Sequence, residues 1–202
     1  MAPLNSISPP LPYTAELKAR INGIQHQTEE AFADLIELFT FQTIKKGTYF
    51  ARDGEHPQKL CFLGKGFFRA YYLSPNGAEY NKSFYLENDL YCAFSSLILN
   101  QPNYINIQAM EDCEMLVCNY HAMTRLYDKH HCLERFSRKV AEWLFAKKEL
   151  REIQRVIHQA EERYHIFLQE YPNLETRIPQ YHIASYLGIT PVQLSRIRAK
   201  KR

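Results

Sequence analysis

Residues 178–202 read IPQYHIASYLGITPVQLSRIRAKKR, and they hold the densest group of side chains suited to recognition chemistry. Arg196, Arg198, Lys200, Lys201 and Arg202 put five cations into seven positions. A guanidinium is a planar fork of donors that fits guanine O6 and N7, or two phosphate oxygens. Lysine ammonium groups neutralise phosphates regardless of sequence and make binding steeply salt dependent. The amide of Gln193 has the donor and acceptor that match an adenine edge. The chemistry implied is recognition of double-stranded DNA.

Such groups act only if a helix presents them in a groove. A first helix is expected from Pro179 or Gln180 to Leu187, with Ile183, Ala184 and Leu187 inward. Ala184 is small enough for two helices to cross closely at a tight turn. Gly188 stands where the chain must leave that helix with positive φ, and Ile189 is the buried residue of the turn. Thr190 is an N-cap hydroxyl, Pro191 sits at the first helical position, and Gln193 closes a capping box. Leu194 and Ile197 then face the core, which leaves Pro191, Val192, Gln193, Arg196 and Lys200 outward. The expected DNA-binding set is Thr190, Pro191, Val192, Gln193, Ser195, Arg196, Arg198, Lys200, Lys201 and Arg202. A helical hairpin with a solvated basic end is the plainer alternative.

The charge distribution agrees with this placement. Residues 1–134 carry 11 Lys and Arg against 15 Asp and Glu, whereas residues 135–202 carry 14 against 7. An acidic body followed by a basic third suits a polyanion partner for the second part. Upstream, Leu133, Phe136, Val140, Trp143, Lys147, Leu150, Gln154 and Ile157 follow one another at alternating spacings of three and four. That is a coiled-coil seam, and it predicts a homodimer built on a helix over 131–158. Lys147 and Gln154 fall on the seam and make it a modest one; a helix packed on its own domain is the alternative. Glu161, Glu162, Arg163 and Tyr164 begin a further helix that stops at Tyr171-Pro172-Asn173.

Between Phe41 and about Tyr120 the texture is different. Short aromatic and β-branched runs (59–63, 67–73, 80–86, 104–109 and 114–119) are separated by Lys46-Gly47, Asp53-Gly54, Gly64-Lys65-Gly66, Pro75-Asn76-Gly77 and Glu87-Asn88-Asp89. Strands at this spacing predict an antiparallel sandwich or jelly roll. After a proline-rich lead-in over 1–12 the pattern is helical from Thr14 to Phe39, and Thr28 followed by Glu29 and Glu30 starts a helix with Phe32, Leu35, Ile36 and Phe39 on one face. The fold class is therefore α+β, with expected divisions at 1–27, 28–130, 131–158 and 159–202.

Several functions are not expected. Cys61, Cys92, Cys113, Cys118 and Cys132 form no CxxC pair and no ligand set with histidine, so no metal is expected and reduced thiols are. No nucleophile motif or Gly-rich phosphate loop points to an enzyme, and no cofactor is implied. No apolar run approaches the ~20 residues that cross a bilayer, and the N-terminal residues lack the pattern of a signal peptide. A cytoplasmic protein is expected.

The layout resembles the Crp/Fnr family of bacterial regulators over roughly residues 28–202. The resemblance rests on KKGTYFARDGE (45–55), LCFLGKGFFRAYYL (60–73), the END segment (87–89), RYHIFLQEYP (163–172) and IASYLGITPVQLSRIR (183–198), the last two being similar to a short-tailed branch. It implies a jelly-roll effector domain of the cyclic nucleotide-binding type, a long dimerisation helix and a helix-turn-helix. It also implies that Ser195 and Arg196 touch DNA, Arg196 at a base-reading position. No residues follow that would form the family's wing hairpin, so a wingless version leaning on its basic tail is expected. Pro191 and Val192 replace the Arg-Glu pair of the best-known members, which implies a different target sequence.

In nucleotide-binding members of that family a cassette supplies a Gly-Glu pair and, ten residues after the Glu, an Arg followed by a small residue. Laid on this chain without gaps, the cassette puts Cys92-Ala93 at Gly-Glu and Asn103-Tyr104 at Arg-Ser. Cys92, Ala93, Phe94, Ser95, Asn103 and Tyr104 thus form a degenerate effector pocket without either charged contact. Tyr104 is expected to crowd the space as well. A cyclic nucleotide is not expected, although an unidentified small-molecule effector is allowed. An iron–sulfur cluster would need cysteines before Cys61, and haem would need His56 or His121 as an axial ligand. Two other readings remain open at this point: a cyclic-nucleotide-binding protein with a divergent cassette, and a protein-interaction module that does not bind DNA.

Overall fold

A computed structural model describes residues 9–200. The lead-in is shorter than expected: α1 (Leu11–Ile24) begins inside it and buries Leu17 and Ile21. In α2 (Glu29–Glu37) the Thr28 hydroxyl accepts the Ala31 N–H at 3.2 Å, and Glu29 and Glu30 sit in the first turn against the helix dipole.

Eight strands follow among the described residues: β1 (Thr40–Ile44), β2 (Tyr49–Ala51), β3 (Lys59–Lys65), β4 (Phe68–Leu73), β5 (Glu79–Tyr85), β6 (Leu90–Tyr91), β7 (Asn106–Ala109) and β8 (Cys113–Asn119). They form two four-stranded antiparallel sheets, ordered β1-β8-β3-β6 and β2-β7-β4-β5. This is the expected jelly-roll arrangement, with β1, β2 and β6 added to the expected strands. Short α3 (Phe94–Leu99) lies between β6 and β7, and α4 (Tyr120–Thr124) follows β8.

Both sheets are covered on both faces, which is why β3 and β4 read as nearly continuous apolar runs instead of alternating. In the first sheet, Cys61, Leu63, Met115 and Val117 point into the roll. Leu60, Phe62, Leu116 and Cys118 point out against α1, α2 and the start of α5 (His131–Ile157). In the second sheet, Phe68, Ala70, Ile107 and Ala109 point inward. On the outer face α8 (Gln180–Leu187) packs on β5, with α6 (Ala160–Glu170) and α9 (Pro191–Lys200) against α8 and α7 (Leu174–Arg177) contributing Leu174 to the same cluster.

The C-terminal helices bury one aromatic cluster together with the roll. Phe67 and Phe84 pack with Tyr164, Phe167, Tyr171 and Tyr186, Phe84 lying 5.5 Å from both Tyr171 and Tyr186 between ring centroids. The Arg177 guanidinium grips Glu87 at 2.6 and 3.0 Å and Glu111 at 2.7 and 3.1 Å, and lies 4.9 Å from the Phe67 ring centre. Glu87 also accepts the Gly66 N–H at 3.1 Å. Gly66 has φ +84°, and a Cβ there would lie 2.7 Å from the Cys113 sulfur, so only glycine fits. No helix of the described residues is long and apolar enough to cross a membrane.

Candidate nucleic-acid interface and effector cassette

The terminal hairpin forms as its residue types dictate. Helix α8 ends at Gly188, which takes φ +69° and ψ 36°, and its N–H caps Ala184 and Ser185 carbonyls. Ile183, Ala184 and Leu187 are buried, Leu194 of α9 is fully buried, and Ile189 and Ile197 are half-buried against the same cluster. The Thr190 hydroxyl accepts the Gln193 N–H at 3.2 Å, and Gln193 Oε1 accepts the Thr190 N–H at 2.9 Å, completing the capping box.

Along α9, Pro191, Val192, Gln193, Ser195, Arg196 and Lys200 are exposed on one side. Two of the expected roles change. Gln193 has its carbonyl committed to the cap, so a bidentate pairing with adenine would break the capping box. Arg198 is half-buried, close enough to Tyr164 to influence its hydroxyl, and does not face out with Arg196. Lys200 lies 3.5 Å from Glu161. Lys201 and Arg202 lie outside the described residues. Of the expected DNA-binding set, Pro191, Val192, Ser195 and Arg196 are thus exposed on α9 with no side-chain partner among the described residues.

Helix α8 is held to the outer face of the second sheet by a buried polar network. Arg69 donates to Gln108 at 2.7 and 3.0 Å, pairs with Glu79, meets His182 Nδ1 at 3.1 Å and stacks 3.9 Å over Tyr71. Asn81 donates to the His182 carbonyl at 3.0 Å, while the Ser185 hydroxyl accepts the Asn81 N–H at 2.9 Å and donates to the Glu79 carbonyl at 2.8 Å. Burial, then the Arg69 charge, pushes His182 down to about 4. Sequence reasoning missed this network because one arginine in a strand and one histidine in a helix carry no joint signal.

The seam on α5 needs a correction. Leu133 and Phe136 are buried in the chain's own core, and Val140 packs against it. Lys147 pairs with Glu170 at 3.4 Å, and Gln154 lines a cleft against α6 and α8. Leu133, Phe136, Val140, Lys147 and Gln154 therefore serve the chain itself. Trp143, Leu150 and Ile157 are exposed, and with Ala146 and Ile153 they form a second seam at spacings of 3, 4, 3 and 4. The heptad reading placed one stripe where the helix carries two, turned about a quarter-circle apart.

At the cassette, Ala93 is buried at the start of α3 and Cys92 is half-buried, its thiol pushed up to about 12 by burial. Asn103 is buried and neutral, accepting from Ser96 at 3.4 Å and donating to the Arg52 and Ile105 carbonyls. Its backbone ties to Glu55 and Gly54 at 2.8 Å. This amide fastens the cassette to the β2–β3 turn and offers no charge to a phosphate. Tyr104 does not crowd the pocket: with Asn103 inward it points out and is 61% exposed. Phe94 and Ser95 are also exposed, and Ser96, not Ser95, is the hydroxyl that faces in. Phe50, Phe68, Tyr85 and Tyr91 pack ring against ring inside the roll. The residues present do not fit a cyclic nucleotide.

Glu30, Asp34 and His130 converge near one another, but the Lys129 ammonium lies 3.0 Å from Glu30 and 2.6 Å from Asp34, filling the place of a cation.

Residues 41–130 match the cyclic nucleotide-binding domain family. No curated protein matches the chain. Among solved structures, FixK2 from Bradyrhizobium japonicum is 17% identical with TM-score 0.67, over 80% of this chain and 83% of that one. A CooA mutant from Carboxydothermus hydrogenoformans is 19% identical with TM-score 0.65, over 82% and 77%. A cAMP-bound PfPKA-R fragment is 15% identical with TM-score 0.53 over 59% of this chain, which spans 43% of it. At these identities the likeness is one of fold.

Proposed function

We propose that the chain is a DNA-binding transcription regulator of the Crp/Fnr type that acts as a homodimer, has no enzymatic activity, and is not controlled by a cyclic nucleotide. The observation that carries this reading is the hairpin α8–Gly188–α9, in which a capped helix turns an exposed Arg196 away from a fully buried Leu194. The resemblance of the flanking sequence to Crp/Fnr regulators, and the fold shared with FixK2 and CooA, support it. The exposed stripe of Trp143, Ala146, Leu150, Ile153 and Ile157 supplies a surface for a second copy, and would set two reading helices about a two-fold axis.

The replacement of both charged cassette contacts by Ala93 and a hydrogen-bonded Asn103 supports an effector other than a cyclic nucleotide. Fluorescence anisotropy of the purified chain on random-sequence duplex, titrated with salt, tests the DNA-binding claim. Affinity should fall linearly with the logarithm of salt concentration, and an absence of binding at low salt would reject the claim. Calorimetry with cyclic AMP and cyclic GMP tests the effector claim; micromolar binding of either would overturn it.

A further inference from the structure

The break between α5 and α6 carries a basic cleft that the proposed function does not use. Helix α5 ends at Ile157, His158 and Gln159 are extended, and α6 starts at Ala160. Arg151 and Arg155 of α5 and Arg163 of α6 line a cavity of about 30 Å³ there, closed at the back by Phe167 and Leu187.

Two of these arginines are under-used. Arg151 donates through Nη1 to the Lys82 carbonyl at 2.5 Å and lies 4.1 Å from the Tyr186 ring centre, but its Nη2 is buried with no acceptor. Arg163 spans the break, donating to the His158 carbonyl at 2.7 Å and the Leu187 carbonyl at 3.2 Å, and its Nε is also buried with no acceptor. Burying a charged donor without a partner is costly, so an orphan of this kind calls for an explanation. Among the described residues, none of the three arginines makes an ion pair.

The one carboxylate in the cleft is already engaged. Glu170 faces Lys147 at 3.4 Å through one oxygen and accepts the Tyr186 hydroxyl at 2.9 Å through the other. Positive charge continues outside, where burial and then the nearby charges of Lys148 and Arg151 push the Lys82 ammonium down. One water needs ~10–15 Å³ of such space. The cleft therefore has room for the oxygens of a tetrahedral anion.

We infer that this cleft is a binding site for a phosphate-type oxyanion free in solution, held between Arg151, Arg155 and Arg163. Forked guanidinium donors match its geometry, and a dianion suits three uncompensated cations. The bound anion ties α5 to α6 and to the end of α8 across the break at His158. The arginines lie to the side of the exposed α5 seam, so the cleft stays open in a dimer. The binding claim stands on these arginines alone; only its consequence for DNA depends on the reading above.

Calorimetric titration of the full chain with sodium phosphate, with ionic strength held constant by sodium chloride, tests it without DNA. Saturable binding of one phosphate per chain is expected. Arg155→Gln should weaken it by about tenfold or more, the equivalent of one charge-assisted hydrogen bond, with an unchanged melting profile because Arg155 is exposed and holds no internal bond. Arg163→Lys should weaken it likewise. Heats no different from added chloride, or an Arg155→Gln chain that binds phosphate as tightly as the parent, would overturn the assignment. In a last arm duplex DNA is added to the phosphate-loaded chain. Phosphate that stays bound upholds the site, and competitive displacement would assign the cleft to the DNA backbone and overturn it.

Discussion

Arg177→Ala should loosen the attachment of the C-terminal helices to the roll, at a cost that can be worked out from its contacts. The guanidinium holds Glu87 and Glu111 by two short contacts each and lies over Phe67. Shielded hydrogen bonds between charges contribute ~1.5–3 kcal/mol each. Here the side chains are 30%, 33% and 38% exposed, so solvent screening reduces this toward the surface-pair value of ~1 kcal/mol per carboxylate. The ring contact adds ~0.5–1 kcal/mol. The expected loss is therefore about 2–3 kcal/mol in urea unfolding at pH 7. Arg177→Lys should recover less than half of it, because an ammonium cannot fork to two carboxylates. Burial raises the Glu87 carboxyl, but bonds from Arg177 and from the Gly66 N–H outweigh it and hold it below 4.5. A carboxyl lowered by folding stabilises the chain fully above its unfolded value and loses that contribution as pH falls through the folded one. The gap between parent and Arg177→Ala should accordingly narrow below pH 4.5. A variant with the parent's urea midpoint would refute the reasoning, showing the clasp to be a solvated contact of no consequence.

Four further outcomes follow from the same structure. Arg196→Ala should relax base preference at one position per half-site at a cost of ~1–3 kcal/mol, read by competition among single-base variants of the bound duplex. Leu150→Glu should turn a dimer into a monomer in sedimentation velocity while leaving the far-ultraviolet circular dichroism of the folded chain unchanged, since Leu150 is exposed in the single chain. His182 is held down to about 4 from 6.5, so its neutral form stabilises the fold above pH 6.5 and that contribution is lost as pH falls toward 4. His182→Asn should flatten the dependence of thermal stability across that window, with Arg69 and Glu79 left facing each other. Gly188→Ala should cost ~1–2 kcal/mol in chemical denaturation from its positive φ alone, as nothing lies within 4 Å of the added Cβ.

What could be read in advance depended on how local the signal was. The backbone of the terminal hairpin is legible in the sequence, because caps, a positive-φ glycine and a small contact residue act within ten positions of one another. The roll is legible as strands between turns, yet β2 and β6 are too short to form a run, and β1 (Thr40–Ile44) shows no alternation of burial. On α5 the 3-4 spacing was real, but spacing does not say which stripe meets the chain's own core, and Leu133 and Phe136 were assigned to a partner they do not face. Asn103 was correctly read as lacking charge, whereas its role in fastening the cassette depends on Ser96, Arg52 and Ile105. The Arg69–His182 network and the Arg177 clasp join residues about 70 to 110 positions apart. Pairings of that range leave no periodic trace.

Selection of bound sites from a random duplex pool, using the purified full chain, tests the central claim most directly. The account predicts a two-fold symmetric sequence whose half-sites lie about one helical turn apart. It also predicts that one conserved base pair in each half-site disappears when the selection is repeated with Arg196→Ala. A pool that stays random at moderate salt, or a selected site unchanged by Arg196→Ala, would contradict the assignment of α9 as the reading helix.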